Sequence, residues 1–127
     1  MLPFFAGACL LSCELVTQPE LNEDFRLAPG QTAVIAGADL AVTFRRVVDD
    51  SRCPSDVVCV WAGNGEVELS ARTASDMTAS IVLGTPSGPL EVVVGQYRIR
   101  VLGLDPYPGQ SPIPQAEYRL QLRVEAE

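Results

Sequence analysis

From Phe25 onward the apolar residues fall at every second position, in run after run separated by glycine, proline and other turn formers. Alternation of this kind puts successive side chains on opposite faces of an extended strand. No window shows the 3.6-residue period of an amphipathic helix, so the class is all-β. Phe25 and Leu27 begin a strand that ends at Pro29-Gly30, Thr32 to Ala36 form the next, closed by Gly37, and Leu40, Val42 and Phe44 share one face of a third. The alternation breaks at Arg45-Arg46 before Val47-Val48, which predicts a bulge. Inward rows then follow at Val67, Leu69 and Ala71, at Met77, Ala79, Ile81 and Leu83, at Leu90, Val92 and Val94, and at Tyr97, Ile99 and Val101, where Gly103 interrupts the row before Leu104. The last row, Tyr118, Leu120, Leu122 and Val124, alternates with Arg119, Gln121, Arg123 and Glu125 on the solvent side. Gly84-Thr85-Pro86-Ser87-Gly88 reads as a hairpin connection. About eight or nine short strands make an antiparallel β-sandwich of immunoglobulin-like architecture the expected fold, in preference to a closed barrel.

One stretch, Asp49 to Gly65, holds the only Trp and the only two cysteines outside the N-terminal segment. Cys53 and Cys59 are too far apart for the Cys-x-x-Cys of redox enzymes or zinc knuckles, and the chain has no His to complete a metal site. They are expected to form a local disulfide that staples a loop, contributing about 2 kcal/mol in the chain-entropy picture. Counting by two from Val57 places Val57, Cys59 and Trp61 on one face of a short strand, with Gly63-Asn64-Gly65 turning into the next.

The run Asp50-Ser51-Arg52-Cys53-Pro54, then Val57, then Cys59-Val60-Trp61-Ala62-Gly63, resembles the signature of an uncharacterised family of small exported bacterial proteins, often lipoproteins. The resemblance implies an extracytoplasmic compartment and a β-rich domain, and it carries over no catalytic residue.

The N-terminal segment agrees with export. Residues 1–13, MLPFFAGACLLSC, are apolar throughout but well short of the roughly 20 residues of a membrane-spanning helix, and they fit the apolar region of a secretory signal. Leu10-Leu11-Ser12-Cys13 resembles a bacterial lipobox, which makes Cys13 the expected lipidation site, with Cys9 in Ala6-Gly7-Ala8-Cys9 as a second candidate. No basic residue precedes the run, which points either to a start further upstream or to a hydrophobic first strand in place of a signal. Glu14, where an Asp would signal inner-membrane retention, leans toward the outer membrane of a diderm cell. Residues 14–24 read as a short acidic tether, and 25–127 as a single domain.

A net charge of −7 argues against nucleic acid or an anionic lipid surface as partner. The nine basic residues are all Arg, scattered among a larger number of carboxylates rather than gathered into a phosphate-binding patch. Without His or Lys the chain lacks Ser-His-Asp, Cys-His, Ser-Lys and Schiff-base chemistry. The leading expectation is therefore a non-enzymatic, monomeric binding module without a cofactor, lipid-anchored or secreted, recognising an envelope protein or glycan. Arg52, Trp61 and Tyr107 are its candidate binding surface, provided that the proline-rich loop from Asp105 to Ala116 lies beside the disulfide loop. That loop suits either an exposed recognition segment or a lid over one end of the sandwich. Two alternatives carry named residues: a Ca²⁺-dependent module using Asp49, Asp50 and Asp56, and a carboxylate-based hydrolase using Glu66 and Glu68. The many carboxylates predict a loss of stability below about pH 4.

Overall fold

The computed structural model describes residues 16–54, 58–60, 63–75, 77–85, 90–109 and 112–127. They contain β1 (Val16–Thr17), β2 (Asp24–Leu27), β3 (Thr32–Val34), β4 (Ala41–Asp50), β5 (Gly65–Arg72), β6 (Met77–Thr85), β7 (Glu91–Val94), β8 (Tyr97–Asp105) and β9 (Arg119–Ala126), with one 3-10 turn at Gln115–Glu117. Two sheets form, in the orders β1-β3-β4-β5-β6 and β2-β9-β8-β7. All their pairings are antiparallel except β1 with β3.

The alternation explains how the sheets stack as a sandwich. Leu40, Val42, Phe44, Val67, Leu69, Ile81 and Leu83 enter one buried cluster from the first sheet and its flanks, and Leu27, Ile99, Val101, Leu120, Leu122 and Val124 enter it from the second. Removing an aliphatic or aromatic side chain of this size from water contributes roughly 1.5–3 kcal/mol, so these rows hold the layers together. The break at Arg45-Arg46 is a real irregularity, since the register of β4 on β5 shifts between Phe44 and Arg46 and again between Val47 and Asp49. A further shift between Val101 and Gly103 lets Leu104 regain the core.

Four expectations need correction. The stretch 14–24 is not a free-standing tether from Val16 onward, because Val16 and Thr17 pair in parallel with Thr32 and Ala33, Glu20 bridges Ala36, and Asp24 already lies in β2. Its polar composition hid three strand residues and a bridge. Met77 does not join the inward row, being 68% exposed, because a register shift between Leu69 and Ala71 moves the start of β6 out of phase with Ile81 and Leu83. The connection from Gly84 does not close a hairpin, since β6 and β7 belong to different sheets. Residues 58–60 are not a strand, and Val58 and Val60 are fully exposed there.

Arg26, Arg98, Arg100 and Arg123 of the second sheet pair with carboxylates. On its solvent face Asp24, Arg123, Glu125, Arg100, Glu91, Arg98 and Glu127 follow one another as a chain of ion pairs crossing all four strands, at 2.6 to 3.8 Å. Exposed pairs of this kind contribute at most about 1 kcal/mol each, and salt screens them.

Candidate functional site

At one end of the sandwich β4 finishes at Asp50, directly opposite Gly65 at the start of β5. Two residues on, Arg52 turns back into the protein and is only 4% exposed. Its guanidinium grips the Asp50 carboxylate with two parallel bonds, Nε to Oδ1 at 2.8 Å and Nη2 to Oδ2 at 2.9 Å. This is the geometry that suits the planar arginine fork. Nη1 donates to the Leu104 carbonyl at 2.6 Å and Nη2 to the Pro106 carbonyl at 3.0 Å. Arg52 follows a strand of the first sheet, while those carbonyls end a strand of the second and begin the proline-rich loop, so one side chain clamps the two layers and the loop. Gly65 makes the room: a Cβ there would lie 3.1 Å from both Arg52 Nε and Leu104 Cδ2.

Asp50 is equally committed. Its Oδ1 also accepts the Arg52 backbone N–H at 3.3 Å, and its Oδ2 accepts the Tyr118 hydroxyl at 2.7 Å. Burial alone raises the Asp50 carboxyl, but the hydrogen bonds from Arg52 and Tyr118 and the guanidinium charge outweigh it and hold the group below its usual range. For Arg52, burial disfavours the charged form, and Asp50 overcomes that and leaves its pKa raised. Burial first, and then the bond to Asp50, push the Tyr118 hydroxyl up to about 12.

These shifts predict a stability plateau with two limbs. Asp50 is depressed in the folded state, so its contribution is present above 3.8 and is lost as pH falls through the lower folded value. Tyr118 is raised, so its contribution is present below 10.0 and is lost as pH rises through about 12. Urea midpoints measured across pH are expected to fall at both ends, and Tyr118→Phe should remove the tyrosine's share of the alkaline limb. An alkaline limb identical in the variant would show that Tyr118 is not coupled to the clamp.

The proline-rich loop is pinned elsewhere too. The Gln115 side chain accepts the Val47 N–H at 3.0 Å and donates to the Val47 carbonyl at 3.1 Å, acting as a strand partner beside the β4 irregularity. The disulfide loop is closed at its neck by Ser51, whose N–H and hydroxyl both donate to the Asn64 carbonyl at 2.8 and 3.0 Å, and whose Oγ accepts the Asn64 N–H at 3.0 Å. Above the neck Cys53 and Cys59 are disulfide-bonded, with Cα atoms 5.9 Å apart.

Between the two loops lies a cleft of about 370 Å³. Pro54 forms one wall, Pro108, Gly109, Pro112 and Ile113 the other, and Asp50, Arg52 and Tyr118 the floor. Tyr107 lays its ring over the guanidinium, 5.0 Å from Cζ to centroid, and remains 55% exposed. A cleft of similar volume at the opposite end, about 380 Å³ and lined by Val34, Asp39, Leu40 and Arg72 among others, has no buried ion pair at its floor.

The sequence-predicted residues therefore divide. Tyr107 lies against Arg52, but Arg52 is a buried structural cation and not a surface contact. Trp61, Asp56 and Cys13 lie outside the described residues. Asp49 and Asp50 are successive residues of β4 and project to opposite faces, with Asp50 held by Arg52 and Tyr118, so they do not converge on a shared ion. Among the described residues no three His, Cys, Asp or Glu side chains gather as a metal site. Glu68 is tied to Arg46 at 2.8 Å and to Ser80 at 3.1 Å, and the Arg46 bond heads the causes that lower its pKa. A general acid needs the opposite shift. Tyr118, Gln115 and Gly65 were not anticipated. The one signal for Tyr118 was a tyrosine at the mouth of an inward row, whose hydroxyl requires a partner when buried.

The Cys53–Cys59 bridge suits an oxidising, extracytoplasmic compartment, and among the described residues no helix is long and apolar enough to cross a membrane. Comparison with protein-family models, with curated proteins and with solved structures returns no match.

Proposed function

We propose that the chain is a non-enzymatic, extracytoplasmic binding module, a member of the exported family that its Asp50-to-Gly63 signature resembles, held at a bacterial envelope by a lipid on Cys13. Its ligand occupies the cleft between the disulfide loop and the proline-rich loop. The observation that carries this reading is the build of that cleft: rigid proline walls and a floor whose charges are already paired, with the half-exposed Tyr107 stacked on the floor's Arg52. Walls of proline and isoleucine lose little entropy when a ligand arrives. A paired floor offers no net charge to a charged ligand, so the cleft favours an uncharged face, either a sugar ring stacked on Tyr107 or an extended peptide.

The test titrates the isotope-labelled protein with soluble peptidoglycan fragments and, separately, with a proline-rich decapeptide, following backbone amide shifts. One of the two probes should move Tyr107, Gly109 and Ile113 together, and Tyr107→Ala should weaken that probe on the order of tenfold, as expected for loss of an aromatic anchor worth more than 1 kcal/mol. The core residues of the two sheets should keep their wild-type shifts in that variant. Saturating both probes without perturbing these amides would remove the cleft as the binding site.

A further inference from the structure

Among the described residues every arginine except Arg72 has a carboxylate or carbonyl partner. Arg72 is the last residue of β5 and faces solvent, because its neighbour Ala71 is buried in the core. It stands opposite Ala41, which stands opposite Val34 in turn. The short alanine between two longer side chains leaves a dip, part of the cleft of about 380 Å³ at the end of the sandwich away from the clamp. Asp39, in the turn between β3 and β4, lines the same cleft. Two bonds fix its place: Oδ2 accepts the Ala74 N–H at 2.9 Å, and its own N–H donates to the Tyr97 hydroxyl of the second sheet at 3.2 Å. Its Oδ1 has no hydrogen bond among the described residues, and no ion pair joins it to Arg72. The cleft therefore holds one cation and one anion that do not neutralise each other.

We infer that this cleft binds a small zwitterion, an α-amino acid with an aliphatic side chain. The two charges select that class. A simple anion drawn to Arg72 meets the Asp39 carboxylate in the same space, and a simple cation drawn to Asp39 meets the guanidinium, so each gains from one charge and loses to the other. A ligand that carries both charges on neighbouring groups gains twice. Its carboxylate suits the planar arginine fork, and its ammonium suits the open Oδ1 of Asp39. It also adds no net charge to a chain that already carries −7. Val34, Ala38 and Ala41 supply aliphatic surface for the side chain. The volume stands near the lower bound for small-molecule sites, about 300–1,000 Å³, which fits a single amino acid. A longer peptide separates its two terminal charges and cannot offer both here. This site is distinct from the cleft above Asp50 and Arg52 and does not rest on the ligand proposed there.

The test titrates the isotope-labelled protein with three probes: L-leucine, N-acetyl-leucine, which lacks the ammonium, and leucine amide, which lacks the carboxylate. Leucine should move the amides of Asp39, Leu40, Thr73 and Ala74 with a dissociation constant on the order of 1 mM. Each blocked form should bind about tenfold more weakly or worse, since it forgoes one charge-assisted pair. Arg72→Gln should weaken leucine by about the same factor and keep the wild-type thermal midpoint, because the exposed guanidinium has no partner to lose. Asp39→Asn keeps an oxygen for the Ala74 N–H and should weaken leucine likewise. Arg26→Gln, the same loss of charge at an exposed position of the second sheet, should leave leucine binding unaltered. The inference is overturned if leucine leaves these amides unmoved at tens of millimolar, or if a blocked form binds as tightly as leucine. Wild-type binding by Arg72→Gln, or weakened binding by Arg26→Gln, would overturn it equally.

Discussion

Replacing Arg52 with alanine is expected to destabilise the domain by about 3–5 kcal/mol, the range for removing one partner of a buried ion pair. The variant leaves Asp50 as an uncompensated carboxylate at a site where the arginine fork and Tyr118 had satisfied it. It also removes the donors to the Leu104 and Pro106 carbonyls and uncovers the face of Tyr107. Against a typical total stability of about 5–15 kcal/mol, that is a third or more of what holds the native state. Urea unfolding of wild type and variant measures it directly. A loss below about 1 kcal/mol would place Arg52 with exposed salt bridges and remove its role as the clamp.

Gly63→Ala is the second large effect, expected at about 3 kcal/mol, from two causes that a control separates. The residue sits at φ 71°, a conformation that costs an L-residue roughly 1–2 kcal/mol. An added Cβ would also run into the Ser51 carbonyl, in the neck that Ser51 and Asn64 close by three hydrogen bonds. Relieving that overlap means shifting backbone, which typically costs a further 1–3 kcal/mol or so. Gly30 has φ 87° with open space where its Cβ would go, so Gly30→Ala carries the backbone cost alone, about 1 kcal/mol. Equal losses in the two variants, read from urea midpoints, would show that the neck yields freely.

Much of the sandwich was legible because its signal is local. Val67, Leu69 and Ala71, or Leu120, Leu122 and Val124, announce a buried face by alternation alone, and the pair Arg45-Arg46 marks the irregularity in β4 by breaking it. What escaped depends on partners distant in sequence. Val16 and Thr17 form a strand only because β3 offers an edge beside them, and Met77 leaves its row because β6 carries one extra residue against β5 between Thr78 and Ile81. The site shows the same division. The spacing of Cys53 and Cys59 pointed to the disulfide, and the prolines pointed to the loop from Asp105 to Ala116. That Arg52 is buried was not legible, since its burial requires Leu104, Pro106 and the absent side chain of Gly65, all supplied from other strands and loops. Asp50 and Arg52 form the clamp, and Ser51 and Gly63 lie at the neck.

Hydrogen exchange in wild type and Arg52→Lys tests the clamp most directly, because lysine keeps the charge and the fold but cannot serve Asp50, Leu104 and Pro106 at once. The informative amides are Val47, Glu117 and Tyr118, whose bonds run to Gln115, Pro114 and Gln115 in the proline-rich loop. If Arg52 holds that loop against the sandwich, all three exchange about tenfold faster or more in the variant, as local opening becomes easier, while the amides of β5 and β9 keep their protection. Wild-type exchange at the three amides would contradict the clamp, and with it the preformed cleft on which the proposed binding rests.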